Sequence, residues 1–259
     1  MSDRLAPMRA NMRAFYRLLG ERSPGGEVIE CQGLVAAIVP SCPGRSIVNA
    51  VVYERPEELA AEREELARRY RRAGVRAWTV WVPEADRASA ELLARTGHRL
   101  DGGPRAMTLE LAGMQLAGAG EVEWARTRDA HALAAINEAA YGLPAGEFTA
   151  AMSAFSDDPT LLYLARVDGR PAACLAALDD DGDCGIYLVA TIPSARGRGL
   201  ASALLQQALA EARERGCATS SLQATAADFP VYERCGYRDL CAIEMWEPGR
   251  REARSAIVR

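Results

Sequence analysis

Hydrophobic and polar positions change their period repeatedly along the chain, and each change marks an element. Residues 5–19 carry apolar side chains at helical spacing, and short apolar runs at 28–31, 34–39 and 47–53 suit strands. A helical pattern then fills 56–73 and stops at Gly74. A strand is predicted at 76–82, a short helix at 86–95, and a last strand region opened by Gly97 and ending near residue 111.

A second series begins at 121 with a predicted strand over 121–126. Residues 128–141 form a helical stretch with Ala132, Leu133, Ile136 and Ala140 on one face, and 146–155 suit a shorter helix. Strands at 161–167 and 170–178 are joined by Asp168-Gly169, a strong hairpin signal. The acidic turn Asp179-Asp-Asp-Gly-Asp183 reads as solvated, since Asp and Gly favour turns, and a third strand follows at 184–191. Pro193 precedes a long helix over 199–215, stopped by Gly216. A strand at 219–223, a helix at 229–234 and a strand at 237–246 complete the order. Gly216 and Gly236 fall where Gly74 and Gly97 fall earlier, the pattern of a diverged internal duplication. Small residues over 112–120 read as a linker between a first half, 1–111, and a second half, 121–247, with a tail over 248–259.

Composition sharpens this picture in a few places. The 259 residues are 49% hydrophobic and 25% charged, as in globular chains that bury a core. A formal net charge of −4 gives no general electrostatic reason to bind nucleic acid. All 31 basic residues are arginine, so the chain has no lysine side chain of its own to acetylate. Seven cysteines stand at 31, 42, 174, 184, 217, 235 and 241 without a Cys-x-x-Cys pair, and His98 and His131 complete no metal-ligand spacing. They read as small buried hydrophobes in a reducing cytoplasm, with no metal expected. The start of the chain lacks the apolar core of a signal peptide, and no apolar run approaches the roughly 18 residues of a membrane helix. A cytoplasmic protein is expected.

The chemistry concentrates at Arg196-Gly-Arg-Gly-Leu-Ala-Ser202, between a strand and a long helix. The first amides of a helix lack internal partners, and the helix dipole adds partial positive charge, so such a junction binds phosphate. Gly197 and Gly199 let main chain approach phosphate oxygens, Ala201 keeps the next turn small, and Arg196 and Arg198 add charge. The spacing is neither that of a P-loop nor that of a dinucleotide fold.

Arg196-x-x-Gly199-x-Ala201, after the strand Tyr187-Leu-Val-Ala-Thr-Ile-Pro193, resembles the (Gln/Arg)-x-x-Gly-x-(Gly/Ala) signature of the GNAT superfamily of N-acetyltransferases. Leu222-Gln-Ala-Thr225 and Val231-Tyr-Glu-Arg-Cys-Gly-Tyr237 resemble that family's later strand, short helix and Tyr-x-x-x-Gly-aromatic segment. The resemblance spans about 121–247. It implies an α/β (α+β) fold of two GNAT-like domains, each a mixed, mostly antiparallel central sheet flanked by helices. It also implies acetyl-CoA as cosubstrate, with its pyrophosphate on the amides of Gly197, Arg198, Gly199, Leu200, Ala201 and Ser202. The backbone of Val189, Ala190 and Thr191 would pair with the pantetheine arm, and a strand amide would stabilise oxygen charge during attack. Tyr232 would protonate the departing thiolate. No acid lies on Ile186-Tyr-Leu-Val189, so the base stays open among Glu138, Glu244 and His131, none of them singled out.

In the first half, Tyr53-Glu-Arg-Pro-Glu-Glu-Leu59 stands at the place of the glycine-rich junction. Glu57 and Glu58 there answer the positive end of the helix and would repel a pyrophosphate. Leu93, four residues before Gly97, takes the position of Tyr232. Residues 1–111 therefore read as a degenerate GNAT-like domain that packs on, or helps shape, the acceptor cleft. The expected activity is transfer of an acetyl group to a primary amine, on a small molecule or a peptide. Residues 138–155 are expected to line the cleft, and the acids Glu138 and Glu147 favour a cationic acceptor. The alternative is a non-catalytic acyl-CoA sensor or partner-binding module.

Overall fold

The computed structural model describes residues 4–114, 122–146, 148–155 and 159–249. Most of the linker, most of the tail, Glu121 and Glu147 lie outside these residues. The first half runs α1 (Ala6–Arg22), β1 (Glu27–Cys31), β2 (Leu34–Ile38), β3 (Ala50–Tyr53), α2 (Pro56–Arg72), β4 (Thr79–Pro83), α3 (Arg87–Arg95), β5 (His98–Gly102) and β6 (Arg105–Glu110). The second runs β7 (Trp124–Thr127), α4 (Ala130–Tyr141), α5 (Thr149–Met152), β8 (Thr160–Val167), β9 (Arg170–Asp180), β10 (Asp183–Thr191), α6 (Leu200–Glu214), β11 (Thr219–Ala224), α7 (Phe229–Arg234) and β12 (Arg238–Pro248). Among the described residues, no helix is long and apolar enough to cross a membrane.

Each half is a mixed, mostly antiparallel sheet flanked by helices. Each has one parallel pair, β3 with β4 and β10 with β11, joined through a long helix, α2 or α6. The last strands are exchanged. β6 of the first half pairs with β11, while β12 of the second half pairs with β4 as well as β6. The result is one sheet in the order β1-β2-β3-β4-β12-β6-β11-β10-β9-β8-β7, with β5 alongside β12.

Period-two alternation explains the layers. Val35 and Ala37 enter one core while Leu34, Ala36 and Ile38 enter another, and Leu162 and Leu164 part from Tyr163 and Ala165 in the same way. Both sheet faces are covered, so both sets of strand positions are apolar. One core, which includes residues of α1 and α4, is continuous across the two halves. The cores on the other face are separate, one including α6 and the other α2 and α3.

Helix α1 ties the halves together. Asn11 is fully buried, and its Nδ2 donates to the carbonyls of Leu178 and Asp183, each at 2.9 Å. Its Oδ1 accepts from the Tyr187 hydroxyl at 2.7 Å. A Cβ at Gly185 would collide with Asn11 Oδ1, so glycine is required there. Phe15 stacks on Tyr187 with centroids 3.9 Å apart.

Two expectations need correction. The strand region after Gly97 is two strands, broken at Gly103 and Pro104, because proline cannot donate to a ladder. The acidic turn is not simply solvated. Asp183 is buried and accepts from Thr219 Oγ1 at 2.7 Å and Ser221 Oγ at 2.6 Å, while Asp179 pairs with Arg215 at 2.6 Å. Burial raises the pKa of Asp183 against the lowering effect of those hydroxyls.

Candidate active site

The parallel pair of the second half opens like a fork. β10 and β11 pair only at Asp183 with Thr219, Cys184 with Ser220 and Gly185 with Ser221. The cause lies within β10. Its register against β9 shifts between Tyr187 and Ala190, and Leu188 adopts a φ of 55°. An extra residue in one strand bends it and increases its twist. The side chains record the slip, since Tyr187 and Ala190, three apart, enter the same core. A left-handed leucine costs of order 1–3 kcal/mol and needs support. The Leu188 carbonyl receives long hydrogen bonds from Asn137 Nδ2 at 3.5 Å and Cys174 Sγ at 3.4 Å. Cys174 is fully buried, which pushes its thiol pKa up and keeps it a donor.

Across the fork stands the N-terminus of α6. Pro193–Ala195 makes one 3-10 turn, then Gly197 and Gly199 take φ of 76° and 73°. Gly199 is the N-cap, and no side chain caps the helix. A Cβ at either glycine would meet nothing within 4 Å, so glycine is needed here for backbone conformation. Arg198 is exposed. Arg196 braces the loop instead of standing free, its Nη2 donating to the Ala140 carbonyl at 2.8 Å and its Nε to that of Thr191 at 3.4 Å.

Fork and helix end border one cavity of about 650 Å³. It gathers Val189, Ala190, Thr191, Arg196, Gly197, Arg198, Gly199, Leu200, Ala201 and Ser202 together with Tyr232. Tyr232, on α7, is only 8% exposed, and its hydroxyl has no hydrogen-bond partner among the described residues. Burial, then the nearby Asp228 and Tyr141, push its pKa up, so the hydroxyl keeps its proton at neutral pH.

A second cavity of about 520 Å³ adjoins the first, sharing Tyr141, Val189, Thr225, Asp228 and Tyr232 with it. Its walls come from both halves, with Phe15, Trp81 and Asp101 on one side and Asn137, Phe148 and Leu222 on the other. The pattern of the chain gave no sign of Asp101, Asp228 or Trp81 here, because tertiary packing alone brings them together. The three carboxylate and imidazole candidates stand elsewhere. Glu138 is buried, and its carboxylate accepts from the amides of Gly146 at 2.9 Å and Phe148 at 2.8 Å, so it shapes the loop after α4. Glu244 accepts from Trp246 Nε1 at 2.7 Å and faces Arg87 at 3.4 Å. His131 is exposed in the first turn of α4. None of the three borders either cavity. Among the described residues, no three His, Cys, Asp or Glu side chains gather as metal ligands would.

The acetyltransferase (GNAT) family profile matches residues 130–237. No curated protein sequence matches the chain. Solved structures share the fold across nearly the whole chain. A GCN5-related N-acetyltransferase from Kribbella flavida aligns at TM-score 0.69 and 20% identity, covering 96% of each chain. A GCN5-related N-acetyltransferase from Sphaerobacter thermophilus aligns at TM-score 0.57 and 19% identity, over 84% of this chain and 82% of that one. A tandem GNAT protein from the clavulanic acid biosynthesis pathway aligns at TM-score 0.56 and 17% identity, over 88% and 82%.

Proposed function

We propose that the chain, whose residues 130–237 match the acetyltransferase (GNAT) family, transfers an acetyl group from acetyl-CoA to a primary amine, by direct attack on the thioester. One observation carries the proposal. The uncapped end of α6 and the stretch of β10 that leaves β11 border the same cavity as the hydroxyl of the buried Tyr232, which has no hydrogen-bond partner among the described residues. We assign catalysis to the second half, 121–247, and a share of the acceptor wall to the first half, 1–111.

The residues fit acetyl-CoA. Free amides from Gly197 to Ser202 would hold its diphosphate, helped by the helix dipole and the charge of Arg198. The main chain of Val189, Ala190 and Thr191, unpaired on the β11 side, would receive the pantetheine arm as a strand receives a neighbour. Acetyl-CoA supplies an acyl thioester whose carbonyl carbon is open to an amine. The chain aligns that carbonyl with the acceptor cavity, and an amide of β10 stabilises charge developing on its oxygen. The acceptor ammonium sheds a proton to solvent before attack, and Tyr232, at the border of the two cavities, delivers its proton to the departing sulfur and regains one from the attacking nitrogen or solvent. A thiol with a pKa of about 8.5 leaves readily by itself, so the tyrosine assists the step without being indispensable.

The test is thiol release from acetyl-CoA across a panel of amines, beside calorimetric binding of acetyl-CoA alone. Binding with release on at least one amine is expected. Binding without release on any amine makes the chain an acyl-CoA sensor, and absence of binding removes the site.

A further inference from the structure

The second cavity differs in chemistry from the first, and we propose that it selects a small primary amine whose ammonium sits on an apolar body without a carboxylate. The inference rests on the acetyltransferase reading and narrows its acceptor.

The nitrogen end is marked by acceptors that lack donors. Asn137 is only 2% exposed, and its Nδ2 is committed to the carbonyls of Leu133 and Leu188 and to Cys174 Sγ. That commitment fixes the side-chain amide, and its Oδ1 has no donor among the described residues although Asn137 borders the cavity. This acceptor stays open to the cavity, and an ammonium N–H would bond to it. Asp228 uses Oδ2 to accept from Thr225 at 2.7 Å, and its Oδ1 has no protein donor among the described residues. Asp228 and Tyr232 both border the two cavities, so this end adjoins the proposed proton donor.

Charge and shape set the rest of the ligand. The ionisable acids and bases on this wall other than tyrosines are Asp101, Asp228 and Glu247 against Arg45 alone. Asp101 makes no ion pair among the described residues. A ligand carboxylate would face this negative surface, and like charges brought together cost affinity. Phe15, Trp81, Phe148 and Met245 supply apolar surface on both sides. A volume of about 520 Å³ is that of a small-molecule site, built where two halves meet.

Thiol release is measured with phenethylamine, with phenylalanine, which adds only a carboxylate, and with a short peptide bearing a free amino terminus. Phenethylamine should exceed phenylalanine in kcat/KM by about tenfold or more, with the peptide lower still. In Asp101→Asn, whose position borders only the acceptor cavity, the KM for phenethylamine should rise several-fold, with the KM for acetyl-CoA unchanged. Preference for phenylalanine or the peptide overturns the proposal, as does an unchanged amine KM in the variant. Failure of acetyl-CoA to bind the wild-type chain, read by calorimetry, would instead mark failure of the acetyltransferase reading.

Discussion

The two halves place a long helix after the first strand of a parallel pair and then treat its N-terminus in opposite ways. In the first half, Glu58 turns back, and its carboxylate accepts from the amides of Glu54 at 3.3 Å and Arg55 at 3.2 Å. The Tyr53 hydroxyl donates to Asp86 at 2.7 Å, linking the end of β3 to the start of α3, and Leu93 is fully buried where the second half has Tyr232. β2 and β3 pair without a slip in register. In the second half the helix end is bare, β10 bulges, and the equivalent space is a cavity. The same architecture can thus be closed by its own side chains or left open for a ligand. The difference lies in few residues.

The largest effect is expected at the open helix end. Gly199→Val forces a β-branched residue to a φ of 73° and should weaken acetyl-CoA binding about 100-fold, read by calorimetry with circular dichroism as the folding control. Retained affinity would mean that the bare helix end is not where the ligand sits. Tyr232→Phe should lower kcat about 10- to 50-fold and leave acetyl-CoA affinity within about twofold. An unchanged kcat would erase this functional contrast with Leu93. On the closed side, Glu58→Ala should cost about 1 kcal/mol of stability in urea unfolding. Calorimetry should still give one acetyl-CoA per chain, and a second site appearing in the variant would show that the carboxylate alone had closed the first half. The smallest effect concerns His98, whose pKa burial lowers from 6.5 to about 4. The fold favours neutral imidazole, so its contribution is present above pH 6.5 and is lost as pH falls through about 4. Between those values the melting temperature of the wild type should fall more steeply than that of His98→Gln, and parallel curves would show that this imidazole does not matter.

Local features were legible in the sequence and distant ones were not. Strand positions such as 34–38 and 162–165 are unbroken apolar runs, a signal within a few residues of itself. The junction at Gly197 and Gly199 is equally local, because phosphate binding at a helix end needs only consecutive amides. The acids at 179 and 183 misled because their composition marks a turn, while Arg215 and Ser221, partners of Asp179 and Asp183, stand 36 and 38 residues away. Glu138 pointed to the cleft by position yet serves the amides of Gly146 and Phe148. The first half was expected to help shape the cleft, but which of its residues line the second cavity, Phe15, Trp81 and Asp101, was not legible because tertiary packing alone brings them there.

The exchange of final strands makes the molecule hard to divide. A cut between residues 111 and 121 would leave each piece holding a strand whose ladder belongs to the other, β6 against β11 and β12 against β4. Neither piece alone would complete its sheet, and each would bare strand edges that invite aggregation. Nicked chain should therefore stay associated and melt as one cooperative unit, and neither half could be deleted or shuffled away without ruining the other.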